Sequence, residues 1–341
     1  MKLRGALVLS SFALGLAGCG GGSGVRTLPD APAESPAART PAAASTIPYF
    51  TSTFKAQGQI WSFAMVGTDP RSSRVTTAVT AHVVPVKLTF SNGMAFDATS
   101  LAPGVVRSPL FIGAQFIDGN MQFGDAVMRG EFWKYVSSNS GYHVLLSAAP
   151  VEPTVSVAVP SADGYTSPKP GGQYGYVTYA WFVQTIEPQL IAQLGIPPTD
   201  LTIFVTSRTS VLEPGGYCCY LGYHSVFPIA SAGGTRTWTT AWASVTPKNV
   251  EALSHEVAEW LNDPFYNNTV PPWLSPESGV CGGKQLEVGD PLTKYRIKRG
   301  GFVLQDIAFF SWFARQKPSI GYKRRYDLAG KLSSPAQNCP P

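Results

Sequence analysis

The stretch Ser254-His255-Glu256-Val257-Ala258-Glu259-Trp260-Leu261-Asn262-Asp263-Pro264-Phe265 constrains this chain more than any other. Thr246 fits a helix N-cap, and Pro247 fits the first helical position, where a missing N–H costs nothing. Pro264 forbids continuation and biases Asp263 away from the helical region. Between those signals Val250, Leu253, Val257, Trp260 and Leu261 recur at helical spacing and form one apolar seam. His255 and Glu259 are four residues apart, so they stand one turn above each other on the polar face, with Glu256 beside them.

The polar face reads His-Glu-x-x-Glu. In the related pattern His-Glu-x-x-His, two imidazoles hold zinc and the intervening Glu is a general base. A carboxylate in place of the second imidazole is chemically allowed, because zinc accepts both His nitrogen and Asp or Glu oxygen. The same four residues also describe a solvated helix face with one His and two Glu, so the rest of the chain must decide.

The N-terminus speaks to compartment. Lys2 and Arg4 precede an apolar stretch, Ala6 to Leu16, too short to span a bilayer. It closes on Leu16-Ala17-Gly18-Cys19, which resembles a bacterial lipobox. The resemblance implies that residues 1–18 are a signal peptide and that Cys19 is lipidated. Gly20 after Cys19 points to the outer membrane of a Gram-negative envelope; an ordinary secretory signal is the alternative. Residues 19–46 are rich in Gly, Pro, Ala and Ser and read as a flexible tether. The formal net charge of +5 includes Lys2 and Arg4, and no Lys/Arg run argues for nucleic acid. With Cys19 lipidated, Cys218, Cys219, Cys281 and Cys339 form an even set suited to two disulfides. Vicinal Cys218 and Cys219 are awkward to join, so one is expected to reach Cys281 and the other Cys339. A Cys-based zinc site is the alternative, but paired CxxC units are lacking.

The fold expected is α+β. Residues 47–160 are β-rich, with strands at Gln59–Val66, His82–Phe90, Tyr142–Leu146 and Val155–Val159, and one helix over Asp125–Tyr135. His82 and His143 lie in apolar strands and read as packed, hydrogen-bonded residues. Residues 161–172 are a candidate boundary or long loop. In residues 173–335 an amphipathic helix, Tyr179 to Leu194, carries Pro188 and therefore a kink or break, and Gly195 caps it. Strands at Leu201–Thr206 and Thr235–Ser244 lead into the His255 helix. The two regions are expected to pack as one unit.

Three further positions offer ligands. His224, in Tyr217 to Ser225, either approaches the helix or is a loop histidine. Glu287 and Asp290 flank Val288-Gly289 near Cys281, and supply hard oxygen ligands or form an exposed turn. Asp263 either orients a ligand or caps the helix end. Phe302–Leu304 and Phe309–Phe313 return to strand signals before a Pro-rich tail.

Taken together, His255-Glu256-x-x-Glu259, Asp263-Pro264, Trp273 and Glu287-Val288-Gly289-Asp290 resemble a group of exported bacterial zincin-like metallopeptidases and lipoproteins. Cys219 to His224 carries a weaker similarity to plant phosphate-induced (exordium-like) proteins, and Val84-Pro85-Val86-Lys87 and Gln305-Asp306-Ile307-Ala308 also resemble bacterial members. The matching region is Tyr217 to Pro291, and the second His is absent. The resemblance implies a zincin-like subdomain, a mixed sheet with a metal-binding helix. His255 and Glu259 would bind Zn2+, with Glu287 as first choice for a third ligand and Asp290 or His224 as alternatives. Glu256 would be the general base toward a peptide or protein substrate. The competing expectation is a non-catalytic envelope module with a structural site, for instance for Ca2+, that binds a cell-wall polymer or protein.

Overall fold

A computed structural model of the chain describes residues 45–137, 141–216, 218–231 and 234–340. The expectations for residues 1–18, for Cys19 and for most of the tether lie outside the described residues. Among the described residues no helix is long and apolar enough to cross a membrane. The fold is mixed α+β and rich in strand.

Its spine is the strand Thr76–Phe90, TTAVTAHVVPVKLTF, whose β-branched residues favour the extended chain. Leu201–Thr206 runs parallel along one edge, from Leu201 opposite Ala81 to Val205 opposite Pro85. His143–Ala148 and then Val155–Val159 run parallel along the other, pairing with Thr76–Ala81 and Val86–Phe90. Pro85, which has no N–H to donate, falls in the gap between those two pairings, where the loss is harmless. Gly234–Ser244 continues the sheet parallel to Leu201–Thr206, and Gly222–Ser231 folds back antiparallel as the edge strand. Strands from both sequence regions therefore join in a single sheet, those of the second region side by side along one edge of Thr76–Phe90. The segment 161–172 contains the first strand and the turn of an antiparallel hairpin, Gly164–Lys169 with Gly172–Thr178. Ahead of the spine, Tyr49–Ala56 and Gln59–Val66 form a hairpin whose two-residue turn, Gln57-Gly58, has φ of 51° and 76°. Positive φ at both positions matches the twist that tight hairpins need.

Parallel strands must be covered on both faces, and alternate side chains here divide between two cores. Val83, Ile203, Val205 and Ala241 pack beneath the helix Glu251–Asn262, through Leu253, Val257, Trp260 and Leu261, and the helix Phe123–Glu131 lies beside it. Val84, Phe204 and Trp242 face the other way, against Phe182, Val183 and Leu190. Pro188 lies in the first turn of the last helix of that layer, and the helical path reaches it through a π-helical stretch rather than a break. A helical turn, Tyr179–Trp181, passes through a π-helical stretch, Phe182–Ile186, into the helix Glu187–Leu194, which Gly195 closes with φ of 65°.

Three expectations are corrected. The His255 helix begins at Glu251, because Thr246 and Asn249 bond to each other in a turn and Asn249 Oδ1 accepts the Glu251 N–H at 2.9 Å. Phe310–Phe313 is a helical turn rather than a strand, with all four side chains buried. Cys218 and Cys219 are bonded to each other, and Cys281 to Cys339. The tail decides the second pairing: Leu274 N–H donates to Gln337 O at 3.0 Å and Trp273 bridges Asn338, bringing the Cys281 and Cys339 Cα atoms within 5.5 Å. His82 and His143 are hydrogen-bonded as expected, His143 to Asp125 at 2.8 Å. His82 bonds Glu152 at 2.7 Å through Nδ1 and Asp200 at 2.9 Å through Nε2.

Two measurements test this account. Burial pulls the His82 pKa down, but its bonds to Glu152 and Asp200 more than offset that and leave it raised. A raised folded-state pKa contributes stability that is present below the unfolded value of about 6.5 and is lost as pH rises through the folded value. The Tm deficit of His82→Asn is therefore expected to be largest at pH 5–6 and to shrink above pH 7; a deficit growing with pH refutes the ion pairs. The Cys281–Cys339 bridge closes a separation of 58 residues. Chain-entropy reasoning assigns such a loop about 4 kcal/mol, so Cys339→Ser should lower the free energy of chemical unfolding by about 2–5 kcal/mol.

Candidate metal centre

The helix Glu251–Asn262 buries its apolar seam in the sheet, and its opposite face opens on a cleft of about 1100 Å³. His255, Glu256 and Glu259 line the cleft from the helix, His224 from the edge strand Gly222–Ser231, and Glu287 and Asp290 from the loop after Cys281. Helical spacing brings His255 Nε2 to 3.0 Å from Glu259 Oε1. Asp290 Oδ1 stands 3.6 Å from the same nitrogen. His224 Nδ1 lies 3.6 Å from Glu256 Oε2 and 3.7 Å from Glu259 Oε2.

Gln305, at the end of the strand Phe302–Gln305, fixes the His255 ring. Its backbone N–H donates to Ser254 Oγ at 3.0 Å, docking the strand on the helix. Its side-chain Nε2 donates to Gly289 O at 2.6 Å, which turns Oε1 toward His255 Nδ1 at 3.0 Å. An oxygen there requires the proton on Nδ1, so Nε2 is the nitrogen aimed at Glu259 and Asp290. The remaining space is set by two glycines. A Cβ on Gly289 would stand 2.5 Å from His255 Nδ1, and one on Gly222 would stand 2.7 Å from Glu256 Cγ. The Gly289 N–H also donates to Glu259 Oε1 at 3.1 Å.

The electrostatics are unbalanced. Glu251 at the cleft edge is paired with Arg296 at 2.6 Å, which leaves four carboxylates, Glu256, Glu259, Glu287 and Asp290, beside two imidazoles. Burial pushes the Glu259 carboxyl up to about 7 against the opposing charge of His255. Burial and then the Glu259 charge drive Glu287 well above the usual carboxylate range, and burial raises Asp290. Burial opposes charge on both imidazoles as well, yet the charges of Glu259 and Glu256 hold His255 well above its ordinary value, and Glu256 and Glu287 raise His224. A buried carboxyl takes up a proton, pairs with a cation or binds a metal, and in this set acidic groups outnumber basic ones. The spacing suits an ion. Donors about 2.0–2.1 Å from a tetrahedral zinc stand ~3.3 Å from one another. Among the described residues, His255, Glu259 and Asp290 form one group whose donor atoms lie within 4.8 Å of one another, and His224, Glu256 and Glu259 form another.

The expected residues thus converge, with some changes of place. Glu287 lines the cleft but belongs to neither group, whereas Asp290 and His224 do. Glu256 shares a group with His224. Asp263 works on the following turn: its Oδ1 accepts the N–H groups of Asn267 and Asn268 at 2.9 and 3.0 Å. Gln305, Tyr266 and Tyr223 are not among the expected site residues. Tyr266 packs edge-on against the His224 ring at 5.2 Å. Tyr223 donates to buried Glu187 at 2.6 Å, anchoring the strand that carries His224. Glu187 itself is pushed up to about 8 by burial. No protein-family model, curated protein or solved structure matches the chain.

Close approach makes Gly289 a sensitive position. Gly289→Ala must displace either the His255 ring or the loop, at an expected cost of about 1–3 kcal/mol. Gly283→Ala is the control, since its Cβ would meet only Gln285 N at 3.8 Å. Equal unfolding midpoints for the two variants in urea would refute the packing of the loop on the ring.

Proposed function

We propose that the cleft is the metal centre of a zinc-dependent peptide hydrolase, zincin-like in its use of one helix, and that lipidation of Cys19 tethers it to the cell envelope. The observation that carries the reading is the oriented His255. Gln305 occupies its Nδ1, its Nε2 faces Glu259 Oε1 at 3.0 Å and Asp290 Oδ1 at 3.6 Å, and surplus carboxylates surround it. His255, Glu259 and Asp290 would hold the ion. Imidazole with carboxylate suits zinc, and a bound zinc supplies a Lewis acid that lowers the pKa of water to about 7.

The chain's own residues supply the rest. Glu256, beside the ligand pair on the same helix, accepts a proton from the attacking water as its oxygen bonds to the scissile carbonyl carbon. It then gives that proton to the departing nitrogen as the C–N bond breaks, so the carboxylate returns to its starting state. The edge strand Gly222–Ser231 pairs with Gly234–Ser244, and Tyr223 to Phe227 line the cleft. Such a strand can bind an extended peptide through backbone hydrogen bonds, which supports peptide as the substrate class. The excess of carboxylates also favours hard cations, and on that observation rests the second reading, a structural Ca2+ site in a non-catalytic module that binds a cell-wall polymer or protein.

The test compares metal content and peptide hydrolysis in wild type, His255→Ala and Glu256→Gln. His255→Ala is expected to lose the ion and the activity. Glu256→Gln keeps an ion at His255 and loses about 10²–10⁴-fold in kcat, because an amide cannot accept the proton. Equal metal content in wild type and His255→Ala overturns the metal centre. Stoichiometric metal without hydrolysis of any peptide overturns the enzyme and leaves the module.

A further inference from the structure

Glu259 offers its two oxygens to two different imidazoles. Oε1 lies 3.0 Å from His255 Nε2, and Oε2 lies 3.7 Å from His224 Nδ1. Each pairing has its own additional carboxylate: Asp290 Oδ1 is 3.6 Å from His255 Nε2, and Glu256 Oε2 is 3.6 Å from His224 Nδ1. Among the described residues these are the two groups whose donors lie within 4.8 Å of one another, and Glu259 is the member they share. His224 and His255 do not enter a common group. Their donor atoms are therefore spread too widely for one tetrahedral ion, which sets its ligands ~3.3 Å apart.

His224 supplies a second, independent observation. It is only 5% exposed, so any ring nitrogen of it that lacks a partner is buried. Its Nδ1 faces two buried carboxylates at 3.6 and 3.7 Å, beyond hydrogen-bonding distance from either. Three buried donors facing one another across such a gap are arranged for a cation seated about 2.0–2.1 Å from each. Gly222 permits this approach, because any Cβ there would displace the Glu256 side chain.

We propose that Glu259 bridges two divalent cations, the second held by His224, Glu256 and Glu259 beside the one at His255, Glu259 and Asp290. The inference rests on the reading of the cleft as a metal centre. Carboxylate-bridged pairs stand about 3.5–4 Å apart, and a mixed imidazole and carboxylate set suits zinc or manganese. The second position also acts on the first. Glu256 cannot be a ligand and a free proton acceptor at once, so filling the second position withdraws it from proton transfer. The second ion is therefore a regulator of the first.

The full chain, stripped of metal, is titrated with Mn2+ and with Zn2+, and bound metal is counted by mass spectrometry. Two equivalents are expected in wild type and one in each of His224→Gln and Asp290→Asn. Two Mn2+ ions sharing one carboxylate should give an exchange-coupled electron paramagnetic resonance spectrum, and each variant the six-line pattern of an isolated ion. Should His224→Gln fail to fold by circular dichroism, the wild-type spectrum and Asp290→Asn still decide. Saturation at one equivalent, with an uncoupled spectrum, overturns the bridged pair while leaving the single-ion centre standing. Binding of no ion by wild type overturns both.

Discussion

A sheet built from parallel strands has to be covered on both faces, and this requirement organises the molecule. The strand Thr76–Phe90 carries a parallel strand on each edge, and its alternate residues enter two separate cores. One core is closed by the helix Glu251–Asn262, the other by the segment Tyr179–Leu194. Because Leu253, Val257, Trp260 and Leu261 must face the sheet, the orientation of the first helix has no freedom left. Trp260 adds a polar pin through its Nε1 bond to Thr239 Oγ1 at 2.9 Å. His255, Glu256 and Glu259 are directed into the cleft as a consequence of burying their neighbours.

The site spends what the core provides. Glu256 and Glu259 are nearly inaccessible, and such carboxylates beside buried imidazoles are costly in a medium that screens charge poorly. Such clusters persist in folded proteins where surrounding structure fixes them, and they concentrate where chemistry occurs. Here the fixing elements are identifiable. Ser254 holds Gln305, Gln305 holds both the His255 ring and the Gly289 carbonyl, and Gly289 returns a hydrogen bond to Glu259. The chain of contacts closes on itself, tying helix, loop and final strand around the same two donors. Glu187 and Tyr223 perform the equivalent task beneath His224.

Much of this was legible in the amino-acid sequence. The apolar period of 3.6 residues located the site helix and put His255 and Glu259 on one face. Pro188 announced the departure from regular α-helix just ahead of it, and Gly195 and Pro264 marked the ends of helices. These signals are local, because backbone sterics and side-chain periodicity act within a few residues. The misplaced helix start has a local cause too: Asn249 outcompeted Thr246 as the side chain that serves the first free N–H.

What the sequence could not decide depended on segments far apart along the chain. Cys339 meets Cys281 because the tail pairs with Trp273 and Leu274, and no spacing rule contains that pairing. Asp290 rather than Glu287 comes within 3.6 Å of His255 Nε2, and the Gly289 turn that precedes it sits against the ring. His224 joins the cluster because the antiparallel return of Gly222–Ser231 places it beside the helix, and Gln305 orients the imidazole from fifty residues away. By itself the sequence determined a helix with a His-Glu-x-x-Glu face and the strands to bury it. The tertiary structure alone decided which further donors meet that face, since long-range register and packing set distances that local periodicity does not encode.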